Sequence, residues 1–299
     1  MKATVVINPI AGPGRRRTLD ACSQLAKDVL GRGGYDTHVR ITTGPDDAQR
    51  FATDALDAGH VLVAAWGGDG TVNGVGAALA GSPLPMAIIP GGSGNGLARD
   101  LGIPLAAAAA FTVAATGVNR AIDAGELNGS LFFNVAGIGF DASIARRMAE
   151  PGARRGLLGY VVSTFAELRT YSPRDYIVEL PSGEPGSTFT TAALFIAIAN
   201  SRQYGNGAQI APRAALDDGL MELVVVKPQS AFSMLSRIPA FFNGTLRADD
   251  KVLMHTSGTA TIRGASLIAF HVDGEPRSGS PTLTLQTHKR TLQVRVKSL

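Results

Sequence analysis

The segment Trp66-Gly67-Gly68-Asp69-Gly70-Thr71-Val72-Asn73 decides how this chain of 299 residues is interpreted. An apolar run, 61–65, precedes it, and apolar residues recur after it at helical spacing, at Val75, Ala78 and Leu79. The pattern predicts a buried strand, a glycine-rich turn and a helix, which together present backbone N–H groups and a helix N-terminus to an anion. The glycines allow positive φ angles and the close approach of a phosphate.

One carboxylate, Asp69, stands among these glycines. It would repel a phosphate directly, so the sequence predicts that Asp69 holds a cation or a proton that takes part in phosphate chemistry. An ordinary strand-to-helix turn needs one or two glycines and no acid between them.

The first 120 residues show repeated strand–helix units, which predict a parallel sheet. The predicted strands are 4–7, 35–42, 61–66 and 86–89. One helix is predicted from an apolar face that begins at Leu19, and a second is predicted over 46–58. A second glycine-rich turn, 90–96, follows the fourth strand. Both turns are therefore expected at the carboxyl ends of the strands, where open α/β sheets bind ligands.

The pattern changes after about residue 120, where strands dominate and predict an antiparallel β-sandwich. These strands are expected at 132–135, 176–180, 190–199, 220–226 and 252–255, with three more between 260 and 296. Asn128-Gly129 between apolar runs predicts a hairpin. Two helices, 156–171 and 231–242, are expected to face the core, or to wall an acyl-chain pocket if the protein acts on lipids.

Composition narrows the classes of function. A net charge of +4 is far below that of a typical nucleic-acid-binding protein, so no nucleic-acid partner is expected. The single cysteine, Cys22, excludes an intrachain disulfide, which suits a cytoplasmic location, and the histidines show no zinc-ligand spacing. The longest apolar run, 105–115, is too short to span a bilayer, so membrane contact is expected to be peripheral. Arginine clusters at 15–17, 146–147 and 154–155 are either solvated surface or contacts to phosphates or an anionic membrane.

Four further motifs carry acids. Val272-Asp273-Gly274-Glu275-Pro276 is ordinarily a type I or II turn, and Ala215-Leu216-Asp217-Asp218-Gly219-Leu220 is a common turn before a strand. Asp123 follows Ile122, close to the point where strand–helix units give way to strands. Asp141 follows the segment 133–140, which contains two glycines. From the residues alone, Asp141 is predicted to cap the next helix.

The motifs resemble, from Asn8 to Glu275 and in the same order, the diacylglycerol kinase catalytic-domain family, which includes bacterial diacylglycerol/sphingosine kinase-like lipid kinases. The resemblance implies an N-terminal three-layer α/β parallel-sheet domain that binds ATP, over 1–122. It also implies a C-terminal antiparallel β-sandwich domain that binds the lipid, over 123–299, with the last strand a candidate to return to the first domain. The implied nucleotide-binding residues are Asn8, Pro9, Ile10, Ala11, Gly12, Thr42, Gly67, Gly68, Asp69, Gly70, Thr71, Val72, Asn73 and Ser93.

The resemblance also implies the chemistry. Glu275 would take the proton from the lipid hydroxyl, and Asp69 and Asp123 would organise Mg²⁺ and water, because phosphoryl transfer depends mainly on positioning and charge stabilisation. A separate structural Mg²⁺ would be bound by the Asp218 carboxylate and the carbonyls of Ala215 and Leu220, since this cation prefers oxygen ligands. The partners would be a lipid substrate and the membrane surface, and a homodimer stays open. As an alternative to capping a helix, the resemblance would place Asp141 near the lipid head group.

Three alternatives are retained. An NAD kinase shares the Gly-Gly-Asp-Gly-Thr loop, although the Asn-Pro-x-x-Gly loop and the Val-Asp-Gly-Glu motif argue against it. A non-catalytic lipid-binding protein on the same fold is the second, and an oxidoreductase is disfavoured because no Gly-x-Gly-x-x-Gly turn follows the first strand. The lipid itself stays open, because Gly96 after Asn95 resembles sphingosine and ceramide kinases more than bacterial diacylglycerol kinases.

Overall fold

The computed structural model describes residues 1–11, 18–149, 171–181 and 187–298. The chain forms two compact units. The first unit consists of Met1–Ile122 and Arg290–Leu299, and the second consists of Asp123–Lys289. Gly12, the arginine clusters at 15–17 and 154–155, and the predicted helix 156–171 up to residue 170 lie outside the described residues.

The first unit confirms the predicted alternation of strands and helices, whose ends shift by a residue or two. Its elements are β1 (Lys2–Ile7), α1 (Leu19–Arg32), β2 (Asp36–Ile41), α2 (Asp47–Asp57), β3 (Leu62–Gly67), α3 (Asp69–Leu79), β4 (Met86–Pro90), α4 (Gly96–Asp100) and α5 (Ala107–Thr116). Strands β1, β3 and β4 are buried along almost their whole length, as expected for parallel strands with helices on both faces.

The sheet of this unit has the order β2-β1-β3-β4, and all its pairs are parallel. The connection from β1 to β2 runs in one direction across the sheet, and those from β2 to β3 and β3 to β4 run in the other. Because such crossovers are right-handed, α1 covers one face and α2 and α3 cover the opposite face. Helix α5 packs against α1, and α2 packs against α3, which gives three layers. Residues 290–296 add a parallel partner to β4, at Val294 opposite Met86.

Strands dominate the second unit. In chain order its elements are β5 (Val118–Leu127, beginning in the first unit), β6 (Ser130–Phe132), β7 (Val135–Gly139), α6 (Phe140–Ala149), β8 (Arg174–Glu179), β9 (Thr188–Ala193), β10 (Phe195–Ala199), β11 (Gln203–Gly205), β12 (Ala208–Gln209), β13 (Met221–Val226), α7 (Ala231–Ser236), α8 (Ile238–Asn243), β14 (Val252–Ser257), β15 (Thr259–Val272) and β16 (Glu275–Val296, ending in the first unit).

The strands of the second unit pair antiparallel, in the order β14-β13-β10-β7-β15-β16, with β8 and β9 continuing from β15. Strand β10 is buried on both faces: Ile196 and Ile198 enter one hydrophobic core, and Phe195, Ala197 and Ala199 enter another. The predicted hairpin forms at Asn128 and Gly129, both at positive φ. The α/β-plus-β-sandwich fold class is therefore confirmed.

Four predicted segments of this unit are wrong in detail. The segment 132–135 contains the end of β6 and the start of β7. The segment 190–199 is divided into β9 and β10 at Leu194, whose carbonyl accepts the Phe140 N–H rather than an N–H of a neighbouring strand. The three strands expected between 260 and 296 are two long ones. The helix 231–242 is two short helices, because Pro239 lacks the N–H that a continuous helix needs and instead occupies the first turn of α8.

Candidate functional site

Three loops of the first unit leave the carboxyl ends of the adjacent strands β1, β3 and β4. Asn8 joins the first loop to the second: its Nδ2 donates to Thr71 Oγ1 at 3.1 Å, and its backbone N–H donates to the Trp66 carbonyl at 2.9 Å. Asn8 Oδ1 also accepts the Ile10 N–H at 3.1 Å, which shapes the Asn8–Ala11 turn. The structure thus brings the predicted first loop, as far as it is described, against the glycine-rich loop.

The second and third loops touch through glycines. The Gly91 N–H donates to the Gly67 carbonyl at 2.8 Å. A Cβ on Gly92 would stand only 2.6 Å from the Gly68 Cα, closer than a Cβ comes to a non-bonded atom. The backbones of the two loops are therefore in direct contact. These glycines are required by space, and they leave backbone groups rather than side chains along the loops.

Asp69 holds the third loop. Its Oδ1 accepts the Gly96 N–H at 2.9 Å, and its Oδ2 accepts the Asn95 N–H at 3.0 Å. Desolvation raises the pKa of the Asp69 carboxyl, and these two hydrogen bonds oppose that shift. The prediction that this acid must hold a cation or a proton therefore omitted a simpler partner, the backbone amides of the next loop.

Asn95 is a site residue that the sequence prediction missed. It adopts a left-handed conformation, with φ of 51°, immediately before α4. Its side chain exchanges two hydrogen bonds with Gly92, accepting the N–H at 3.0 Å and donating to the carbonyl at 2.8 Å. Asparagine tolerates this backbone conformation well, and its place within the glycine-rich turn was the available signal. Ser93 lies half-buried in the same loop.

The start of α3 is the helix N-terminus that the sequence predicts to face an anion. Its N-cap is Gly68, which offers no side-chain capping bond, and the Asp69 carboxylate is hydrogen-bonded to its own backbone N–H in the first turn. Thr71 and Asn73 are buried on its first turns, and a Cβ on Gly67 would overlap the Thr71 side chain. Thr42, predicted to contact a nucleotide, is buried at the end of β2 and donates its N–H to the Ile7 carbonyl at 2.9 Å.

Asp123 belongs to the second unit and is fully buried. Its backbone N–H donates to the Leu216 carbonyl at 2.6 Å, and its Oδ2 accepts the Gly219 N–H at 2.5 Å. The structure therefore joins Asp123 to the turn 215–220, which was predicted as a separate metal site. In that turn Asp218 is exposed and accepts the Leu220 N–H at 2.9 Å, so its carboxylate folds back over the turn.

Glu275 is exposed at the first position of β16, directly after a two-residue turn. The turn residues Asp273 and Gly274 both have positive φ, 49° and 86°, as in type I′ hairpins, so the predicted type I or II turn is wrong. Asp273 fixes the turn by accepting the backbone N–H groups of Phe133, Asn134 and Val135 at 2.9–3.0 Å. Glu275, the base that the resemblance implies, is thus carried next to a turn that three hydrogen bonds hold in place.

A buried acid–imidazole pair lies behind this turn. His271 Nε2 is 2.6 Å from Asp141 Oδ2, and both side chains are nearly inaccessible to solvent. Asp141 lies inside the first turn of α6, which begins at Phe140, so the prediction that it caps this helix is wrong. No predicted role involved His271.

Among the described residues, no group of three or more His, Cys, Asp or Glu side chains is arranged to hold a metal ion. Within the same residues, no helix combines the length and apolar character needed to cross a membrane. Arg146 and Arg147 lie in the last turn of α6 and are exposed.

Two sequence families match this chain. The diacylglycerol kinase catalytic domain matches residues 2–127, and the YegS C-terminal NAD kinase beta sandwich-like domain matches residues 134–296. A "Probable lipid kinase YegS-like" of Pseudomonas fluorescens is 32% identical over 282 residues, covering 93% of this chain and 92% of the relative. A protein of the same description from Klebsiella pneumoniae is 33% identical over 262 residues, covering 85% and 84%.

A solved structure shows the same fold. A diacylglycerol kinase crystal structure from Bacillus anthracis superimposes with a TM-score of 0.74 and 21% identity, covering 99% of this chain and 97% of that one. The fold and the loops define a diacylglycerol kinase-type α/β domain joined to a β-sandwich. The chain belongs to the YegS-like family.

Proposed function

We propose that this protein is an ATP-dependent lipid kinase that transfers the γ-phosphate to a lipid hydroxyl. The observation that supports the proposal is the set of three hydrogen-bonded loops around Asn8, Asp69 and Asn95. The start of α3, which lies within this set and has no side-chain cap, would bind phosphate. Its relatives named as probable lipid kinases support the acceptor class. Diacylglycerol, a sphingoid base or a related lipid is the proposed acceptor.

The nucleotide is proposed to bind the first unit. Loops 8–12, 67–73 and 91–96, with Thr42, would surround its phosphates, and backbone N–H groups would supply most of the contacts. Asn8 and Asp69 then act mainly by holding these loops in register.

The available oxygens suit Mg²⁺. The Asp69 carboxylate accepts from the backbone amides of Asn95, Gly96 and Asp69 itself, which leaves part of its roughly four lone-pair sites for metal-bound water. Asp123 is proposed to orient such water as well. The exposed Asp218 carboxylate, with the carbonyls of Ala215 and Leu220, would hold a second, structural Mg²⁺. When bound, Mg²⁺ would neutralise the negative charge that shifts between the phosphate oxygens during transfer.

Glu275 is proposed as the general base. It is exposed and therefore accessible to a lipid hydroxyl, and the Asp273 contacts hold its turn in place. A carboxylate suffices because the proton leaves as the new P–O bond forms. The second unit would then supply both the base and the lipid-binding surface.

Peripheral membrane contact is part of the proposal. Phe232 of α7 is 82% exposed, and Ile238 and Phe242 of α8 are each 44% exposed. Large apolar side chains grouped on two neighbouring short helices suit insertion into a lipid surface.

The decisive experiment measures transfer of labelled γ-phosphate from Mg-ATP to lipids in mixed micelles. The panel contains diacylglycerol, monoacylglycerol, phosphatidylglycerol, sphingosine and ceramide, with NAD⁺ assayed alongside. A labelled lipid supports the proposal and identifies the head group. Label in NADP alone would replace it with an NAD kinase, and label in no product would favour a lipid-binding protein without catalysis.

A further inference from the structure

We propose that the buried Asp141–His271 pair positions the Glu275 turn, with a neutral His271 ring holding the Gly274 amide and a protonated ring releasing it. The inference rests on the proposed function, because it assigns the pair to the base of that reaction. Its structural basis lies entirely within the second unit.

The hydrogen bonds determine the state of the ring. The Gly274 N–H donates to His271 Nδ1 at 3.2 Å, so Nδ1 carries no proton in this arrangement. The ring proton is then on Nε2 and is donated to Asp141 Oδ2 at 2.6 Å. A continuous chain therefore runs from Asp141 through His271 to Gly274, the residue that precedes Glu275.

The fold makes room for this pair at one position. Gly137 of β7 lies directly opposite His271 of β15 in the sheet. A Cβ on Gly137 would overlap both the Asp141 carboxylate and His271 Nε2. Strand β7 is otherwise apolar and buried, so the absent side chain provides the space that the pair occupies.

Three acids face the imidazole: Asp141 from α6, and Asp273 and Glu275 from the turn. Burial alone would lower the pKa of His271, but these acids, Asp141 above all, raise it above 6.5, its ordinary value. Protonation places a hydrogen on Nδ1, which then opposes the Gly274 N–H instead of accepting it. The contact between His271 and the base-bearing turn is consequently lost as pH falls through the His271 pKa.

Two matched double variants separate the two bonds of His271. In Asp141→Asn/His271→Asn, the new Oδ1 stands near the place of Nδ1 and accepts from Gly274 at every pH. In Asp141→Asn/His271→Gln, the longer amide reaches towards residue 141 and leaves Gly274 without its acceptor. Neither variant leaves a buried carboxylate unpaired.

We expect wild-type kcat to fall in acid with an apparent pKa above 6.5, the direction in which the surrounding acids shift the pKa of His271. The Asn variant should lose this acidic limb, and its kcat should exceed that of the Gln variant by roughly ten- to hundredfold, with equal KM for ATP. Identical pH profiles and kcat values in the two variants would overturn the proposal.

A measurement without substrate keeps the inference separate from the kinase assignment. In ¹⁵N-glycine-labelled protein, the Gly274 amide resonance should titrate together with the His271 ring in the wild type and stay constant in the Asn variant. A constant Gly274 resonance in the wild type would refute the link. Titration of Gly274 without phosphorylation of any lipid would refute the proposed function and leave the link in place.

Discussion

The carboxylate of Asp69 receives the backbone N–H of Gly96 at 2.9 Å across 27 positions of the chain. Together with the Asn95 contact, this bond makes Asp69 a residue that holds the two glycine-rich loops together. Asp69→Ala should therefore lower the free energy of unfolding by about 1–3 kcal/mol, because two amides lose their acceptors. Chemical denaturation measures the change, and it should accompany loss of kinase activity.

Asp57→Ala is the matched control for this variant. Asp57 is an exposed acid at the end of α2, and its removal should change stability by less than about 0.5 kcal/mol. Equal denaturation midpoints for the two variants would show that Asp69 does not hold the loops.

Asp273 should be more important for stability than an ordinary turn residue. Asp273→Ala leaves three backbone donors without an acceptor, so we expect a loss of about 3 kcal/mol in the free energy of unfolding. Asp273→Asn retains Oδ1, which serves Asn134 and Val135, and should lose about 1 kcal/mol. Thermal or urea unfolding measures both.

The two-residue hairpin turn at Asn128 and Gly129 supplies the control for backbone strain. Asn128→Ala also places alanine at positive φ, 50°, but at an exposed residue with no comparable side-chain contacts to backbone N–H groups. A loss in Asn128→Ala as large as that in Asp273→Ala would attribute the effect to backbone conformation rather than to hydrogen bonds.

Local patterns predicted the elements of the first unit, because buried parallel strands and glycine turns are recorded in consecutive residues such as 61–73. Contacts between distant residues were not accessible in this way. Asp69 with Asn95, and Asp141 with His271, 130 residues apart, form only when separate strands pair. The break between α7 and α8, just before Pro239, could have been predicted, since proline interrupts helices locally. The positive φ of Asp273 was also signalled by the following glycine.

The decrease in the free energy of unfolding at low pH should depend on Asp47. Hydrogen bonds from the Thr43 N–H, Arg50, the Thr43 hydroxyl and the Gly44 N–H hold the pKa of Asp47 well below 3.8, its ordinary value. Its contribution to stability is therefore present above pH 3.8 and is lost as pH falls through the lowered pKa. Asp47→Asn should be less stable than wild type at neutral pH, and the two should converge in strong acid when urea unfolding is followed against pH.

Asp46→Asn tests this assignment at the adjacent residue. Asp46 is the N-cap of α2 but makes no side-chain capping bond. A pH-dependent loss of the same size at Asp46 would mean that helix-dipole charge, rather than the Asp47 contacts, causes the effect.

Glu275→Gln should lower kcat by roughly 10²–10⁴, the usual range for removing a general base, with little change in the dissociation constant for ATP. Stability should stay the same because the side chain is exposed. Glu179→Gln on β8, which removes a carboxylate that pairs with Arg263 on the surface, should leave kcat unchanged. A large rise in the ATP dissociation constant of Glu275→Gln would place Glu275 in nucleotide binding instead.

Membrane association should depend on Phe232, which is 82% exposed on α7. Burying a phenylalanine in lipid contributes about 1.5–3 kcal/mol, so Phe232→Ser should weaken partitioning onto anionic vesicles by roughly tenfold or more. Vesicle co-sedimentation measures this change. Ile177→Ser is the control, since Ile177 is 42% exposed on β8, away from α7 and α8 in sequence. Equal partitioning of wild type and Phe232→Ser would show that Phe232 of α7 does not contact the membrane. Equal weakening by the Phe232 and Ile177 substitutions would indicate nonspecific hydrophobic adsorption.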